Sequence, residues 1–199
     1  KLAADVKLMM QTEVGEVYEP FAVGRGSSST MPQKRNPVSC IYIHAAVAAA
    51  RPQVTAILEA MVAEHERSAG PWQIEWVALP ELCCLTAGAL AQARHLVEGL
   101  EVDAGRMRAN LDLTHGLVVS EAVMMGLGRH LGREYAHDLV YDLCREAAVK
   151  NLPLIDLLVA HPEINRHVDH AALEAMLDPA NYLGQSGVMV DRVLARMPA

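Results

Sequence analysis

An all-α fold is predicted, a bundle of long helices followed by a small C-terminal helical domain. Three observations predict it. Ala, Leu, Val and Met abound in a chain of 199 residues that is 52% hydrophobic but has only two Trp, five Tyr and one Phe. That mix favours helices over sheets. Two stretches, residues 37–65 and 72–100, are apolar on most faces and too long for strands. From residue 113 onward, shorter amphipathic stretches are punctuated by Gly132, Pro153, Pro162 and Pro179. No strand-like alternation is present.

Taken in order, residues 1–17 read as an amphipathic helix with Val6, Met9, Met10, Gln11 and Val17 on or near one face. It is helical at once and begins without a cap, so more chain is expected before it. Glu19-Pro20 disfavours helical geometry and ends the helix. The helix over 37–65 contains Pro52, and that over 72–100 contains Pro80; both prolines are expected to kink their helices. Helices of this kind need neighbours on several sides, which points to a large bundle completed by other subunits. The polar link 65–71 ends in a Gly-Pro breaker, and Gly99 ends the second long helix. Asp103 is expected to cap a short helix over 104–111. Further helices are expected near 117–130, 133–150, 154–160, 171–177 and 187–197.

Net charge is −7 and the pI is about 5.7, which argues against a general nucleic-acid surface. Cys40, Cys83, Cys84 and Cys144 show no Cys-x-x-Cys spacing and lie in apolar helical sequence, so they read as reduced core residues of a cytoplasmic protein. No apolar run free of charge or Pro reaches the roughly 20 residues that span a bilayer. His161, His167, Asp169 and His170 straddle Pro162 on a polar linker without fixed geometry, so no metal site is expected there. Thr114 reads as a helix cap. Trp72 and Trp76, at helical spacing, read as core or subunit interface.

One segment reads as chemistry rather than packing. Residues 24–37 hold two glycines, three consecutive serines, a threonine and the adjacent cations Lys34 and Arg35, with almost no apolar side chain. Gly and Ser let backbone N–H groups turn toward an oxyanion, and Lys34 adds a point charge. Asn36-Pro37 reads as a helix start, with Asn36 as N-cap and Pro37 at the first helical position. A helix N-terminus there would hold a carboxylate. The competing reading is a flexible Gly/Ser linker that happens to carry two charges. His65 and Arg67, where the first long helix ends, are candidates for a second carboxylate or simply a solvated terminus. Gln11, Thr12, Glu13 and Glu16 either line the same pocket or form the polar face of the first helix.

Ser28-Ser29-Thr30-Met31-Pro32-Gln33-Lys34-Arg35-Asn36-Pro37 resembles the signature of the fumarase/aspartase superfamily, Gly-Ser-Ser-x-Met-Pro-x-Lys-x-Asn-Pro. Ser27 stands where that signature has Gly, and Gly26 supplies flexibility one residue earlier. Met10 to Val17 with Glu19-Pro20, and Glu64 to Ser68, resemble the branch that contains adenylosuccinate lyases and 3-carboxy-cis,cis-muconate cycloisomerases. Trp72, Trp76, the stretch from Leu79 to Cys84, and Asp178 to Gln185 are most similar to the cycloisomerases. Gln33 departs from the His common there in those enzymes.

The resemblance implies a homotetramer with a twenty-helix central bundle and active sites shared between subunits. It implies that residues 1–112 are the latter part of the central domain and 113–199 the C-terminal domain. The N-terminal domain is then absent, and the chain by itself is expected to be inactive. It implies proton transfer α to a carboxylate, with Ser28, Lys34 and Asn36 as catalytic residues. Ser29, Thr30, Met31, Gln11 and Arg67 would bind substrate. The substrate class is a small di- or tricarboxylate, and no metal or organic cofactor is called for. An adenylosuccinate lyase, and a non-catalytic helical scaffold, remain open alternatives.

Overall fold

The computed structural model describes residues 1–21, 30–31 and 33–197. The chain forms two compact units, Lys1–Met107 and Arg108–Ala199.

The first unit opens with α1 (Leu2–Met9), half the expected length. Gly15 explains the early stop. Its φ is +63°, a left-handed conformation that a helix cannot contain and that Gly adopts without strain. The N–H groups of Val14 and Gly15 both donate to the Gln11 carbonyl, at 3.0 and 2.7 Å. Arg106 then holds this turn, donating from Nε and Nη2 to the carbonyls of Val14 and Glu13 at 2.9 and 2.8 Å.

Beyond the turn, β1 (Val17–Tyr18) pairs antiparallel with β2 (Glu101–Val102), Val17 opposite Val102 and Tyr18 opposite Glu101. These strands were not expected. Two residues are too few for alternation to register in a sequence, and the partner lies far along the chain.

Between the strands run α2 (Val38–Ala60) and α3 (Pro71–Glu98), a long antiparallel hairpin that passes through Pro52 and Pro80. Gly70 turns the corner at φ +99°, and its N–H donates to Gln73 Oε1 at 2.7 Å. The core of this unit gathers at the end where α2 begins and α3 finishes, around Ala3, Val6, Met10, Val17, Cys40 and Leu96. Gly99 packs there so closely that a Cβ would stand 2.7 Å from Pro20 Cβ.

Away from that end the hairpin buries Ala60, Ala78 and Ala89 but leaves many large apolar side chains exposed, including Leu58 at 59%, Val77 at 73% and Leu90 at 64%. Cys40 is buried, but Cys83 and Cys84 are exposed, contrary to the expectation of four core cysteines. They lie on α3 where no element among the described residues covers them. By length and composition alone, α2 and α3 would suffice to cross a membrane.

The division between the units falls within α4 (Ala104–Asp112), after Met107. As expected, Asp103 caps it, accepting the Arg106 N–H at 2.8 Å.

The second unit holds α5 (Ser120–Leu131), α6 (Arg133–Lys150), α7 (Leu154–Ala160), α8 (His170–Leu177) and α9 (Ser186–Leu194). Val123, Leu127, Val140, Leu143, Leu154, Leu158, Ile164 and Leu173 meet in one core. Gly132 at φ +83° separates α5 from α6. Thr114 Oγ1 accepts the Val118 N–H at 3.1 Å, but the cap position of the short helix that follows is held by Gly116, not by Thr114 as expected. Asp169 caps α8 through the Ala172 N–H at 2.8 Å. Among the described residues, no group of three His, Cys, Asp or Glu side chains could hold a metal ion. Helix α9 is exposed along its length.

Candidate active site

The expected helix start at Asn36-Pro37 needs correction. Helix α2 begins at Val38 with Pro37 in the N-cap place, and neither Asn36 nor Pro37 caps it. Glu19 does so instead. Its carboxylate accepts the N–H of Ser39 at 2.9 Å and of Cys40 at 2.8 Å, and the residue is only 6% exposed. A carboxylate suits this position because the first-turn N–H groups lack intrahelical partners and carry partial positive charge. The consequence reverses a second expectation: the chain's own acid occupies two of the α2 donors at which a substrate carboxylate was expected. Burial, with the Glu19 carboxylate next in importance, pushes the Cys40 thiol up to about 12.

The two adjacent cations have different employment. Arg35 grips Glu101 through two parallel bonds, Nη1 to Oε2 at 2.6 Å and Nη2 to Oε1 at 2.8 Å. Its Nη2 also donates to the Glu19 carbonyl, and its guanidinium lies over the Tyr18 ring, 4.7 Å from the centroid. The hydrogen bond from Arg35 holds the Glu101 carboxyl below the usual carboxylate range. Lys34 has no ion-pair partner among the described residues. Its N–H closes a turn on the Met31 carbonyl at 3.0 Å, and its side chain is exposed.

A cavity of about 490 Å³ opens beside these groups, lined by Met10, Thr12, Tyr18, Met31, Gln33, Lys34 and Arg35. Lys34 and Met31 are site candidates from the motif, and of Gln11, Thr12, Glu13 and Glu16 only Thr12 is among the lining residues. Asn36 stands half-buried between Arg35 and the first turn of α2, and Thr30 is exposed next to Met31. Gln11 is exposed and sits between Met10 and Thr12 without lining the cavity itself. Ser28 and Ser29 lie outside the described residues, as do the flanking Gly24, Gly26 and Ser27.

Arg67 is not brought to this group within the chain. It follows the far end of α2, and 23 helical residues at about 1.5 Å each separate the two ends by roughly 34 Å. His65 at φ +61° and Arg67 at φ +53° both take left-handed backbone there. Two non-glycine residues in that conformation within three positions are uncommon. Trp72 and Trp76 lie just beyond, edge to face with centroids 5.2 Å apart.

Sequence reasoning missed Glu19, Tyr18, Arg35 and Glu101 as a connected group. Glu19 had been read only as the residue before a helix-ending proline. The one available signal was an acid just before the Gly/Ser segment, and the presence of Asn36 as a ready local cap concealed it.

Comparison with known proteins extends these observations. A family model described as "Adenylosuccinate lyase C-terminus" matches residues 116–193, and one described as "Lyase" matches residues 1–50. Trans-aconitate decarboxylase 1 of Mycosarcoma maydis is 57% identical over 196 residues, covering 98% of this chain and 40% of that protein. The 3-carboxy-cis,cis-muconate cycloisomerase of Pseudomonas aeruginosa is 53% identical over 195 residues, covering 98% and 42%. The crystal structure of the 3-carboxy-cis,cis-muconate lactonizing enzyme from Pseudomonas putida superposes with a TM-score of 0.87 at 44% identity, covering 97% of this chain and 42% of that one. The chain thus spans about two-fifths of the length of the relatives it matches. Across nearly all of that span sequence and fold agree, and the chain belongs to the fumarase/aspartase superfamily of lyases.

Proposed function

We propose that this chain is part of a cycloisomerase that closes 3-carboxy-cis,cis-muconate to a carboxymuconolactone. One carboxylate oxygen adds to a carbon of a C=C bond. The π electrons move onto the neighbouring carbon and its carboxylate, and a proton arrives at that carbon. The costly species is the doubly charged aci-carboxylate, which fixed donors and a cation stabilise. Lys34 and Asn36 hold that carboxylate, Ser28 transfers the proton, and Ser29, Thr30 and Met31 contribute loop contacts. Gln11 and Arg67 bind the substrate's other carboxylates. The observation that carries the reading is the division of labour between the two cations: Glu101 matches the charge of Arg35, while Lys34 faces a cavity without an ion-pair partner among the described residues. A serine hydroxyl is a weak acid, and a neighbouring cation with oriented amides stabilises the alkoxide left when it gives up the proton.

The separation of Lys34 from Arg67 supports a site assembled from more than one copy, and the exposed apolar hairpin supports association. The assembly is a homotetramer with shared sites, working in the cytoplasm. A second reading is decarboxylation of trans-aconitate, favoured by the 57% identity to an enzyme of that name. Both substrates are unsaturated tricarboxylates, so the same carboxylate-binding groups serve either one.

The test is ultraviolet absorbance with 3-carboxy-cis,cis-muconate on the full-length protein, beside assays for CO2 release from trans-aconitate and for cleavage of adenylosuccinate. Loss of the diene signal, abolished in Ser28→Ala, is the expected result. CO2 release alone replaces this reading with the second. Turnover of adenylosuccinate alone moves the protein to a nucleotide substrate, and inertness toward all three favours a scaffold.

A further inference from the structure

Glu19 is a buried acid whose two carboxylate oxygens are each held by a different N–H group, and that network reaches beyond helix capping. A buried carboxylate is tolerated only when its lone pairs are satisfied, and an N-terminal helix turn satisfies them well. A helix cap is ordinarily supplied by the residue at the cap position itself. Here it comes from twenty residues upstream, on the far side of the Gly/Ser segment. The cap therefore ties together the two flanks of that segment. Arg35 makes a second tie: its Nη2 donates to the Glu19 carbonyl while both of its terminal nitrogens bind Glu101 on β2. Lys34 and Asn36 immediately flank Arg35 along the chain, and Asn36 lies three residues before Ser39. The backbone at Lys34 and Asn36 is therefore joined directly to anchored residues. Pro20 lies against Gly99, so the next residue after Glu19 is also fixed.

We propose that Glu19 is a positioning residue of the active site: it sets where Lys34 and Asn36 stand by fastening the first turn of α2 to the end of β1, with Arg35 and Glu101 as the outer half of the same clasp. The proposal rests on the reading above that Lys34 and Asn36 hold the substrate carboxylate. It also states how that carboxylate is bound, by the side chains of Lys34 and Asn36, because the Ser39 and Cys40 N–H groups are already engaged.

Glu19→Gln keeps the size of the side chain but turns an amide N–H₂ toward one of two backbone donors. The first turn of α2 then shifts. A displacement of about 1 Å at a reacting group can cost about 10²-fold in rate.

The experiment measures kcat and KM for 3-carboxy-cis,cis-muconate with full-length Glu19→Gln, Glu101→Gln, the double variant and Lys34→Met. Temperature is held well below each variant's melting point, with circular dichroism to confirm folding. The expected result is a kcat/KM loss for Glu19→Gln on the order of 10²-fold with helix content retained. Glu101→Gln shows a smaller loss in the same direction. The double variant is no worse than Glu19→Gln alone, since both act through one clasp. Folded Glu19→Gln with parental kcat and KM and only a lowered melting temperature overturns the proposal. Should Glu19→Gln fail to fold, the exposed Glu101→Gln decides: a loss supports the clasp, parental kinetics overturn it. Activity lost in Lys34→Met but parental in Glu19→Gln overturns this proposal alone. Parental activity in Lys34→Met overturns the underlying reading and the proposal with it.

Discussion

The two units bury their apolar residues in opposite ways. In the second unit, eleven buried residues from α5 to α8 and the segments between them close into one core. In the first, six of the described residues gather, at one end of a hairpin whose two helices are the longest among the described elements. The second unit resembles a finished domain. The first leaves large apolar side chains of its hairpin exposed, Leu58, Val77 and Leu90 among them, and α2 holds Lys34 and Arg67 at opposite ends.

Core substitutions give the largest test of this difference. Leu158→Ala, fully buried in α7, should cost about 2–5 kcal/mol in urea unfolding. Leu58→Ala on the hairpin, 59% exposed, should stay within about 0.5 kcal/mol in this chain. Equal costs would erase the contrast.

Glycine substitutions sharpen it. Gly99→Ala sets a methyl 2.7 Å from Pro20 Cβ, part of a rigid ring, and should cost about 1–3 kcal/mol. Gly126→Ala also clashes, at 2.6 Å, but with the flexible end of Met176. There the gain in helix propensity, about 1 kcal/mol, offsets much of the strain. Thermal melts that rank Gly126→Ala as the costlier change would contradict this account.

A smaller effect concerns pH. The folded Cys40 thiol stands at about 12, above the roughly 8.5 of an unfolded cysteine. A raised folded pKa stabilises fully below the unfolded value, and that contribution is lost as pH rises toward 12. The urea midpoint of the first unit should therefore decline above about pH 9, and Cys40 should resist thiol reagents at pH 8 until the chain unfolds. Rapid labelling of folded Cys40 would refute its burial. Glu101 has the opposite sign: its depressed pKa keeps the Arg35 pair ionised until pH falls below the ordinary carboxylate range.

Much of this was legible in the sequence, where local rules decide. The all-α class followed from composition and long apolar periods, and the cap at Asp103 from a residue acting within four positions of itself. What escaped depended on partners far along the chain. Helix α1 stops at Met9 because Gly15 takes a left-handed turn that Arg106 holds from beyond α3. Asn36 lost the capping role to Glu19, and Val17-Tyr18 became a strand by meeting Glu101-Val102. The Lys34 candidate was found from the motif, but its distinction from Arg35 needed Glu101 in place. Cys83 and Cys84 looked like core because periodicity marks an apolar face without saying which chain covers it.

The most direct test of the central claim, that Lys34 and Arg67 serve one site contributed by different copies, is complementation between inactive variants. Lys34→Met and Arg67→Ala full-length proteins would be purified separately, then unfolded and refolded together, and assayed with 3-carboxy-cis,cis-muconate. Recovery of turnover in the mixture, with each variant refolded alone remaining inactive, is the predicted result. A mixture no more active than its separate components would contradict it.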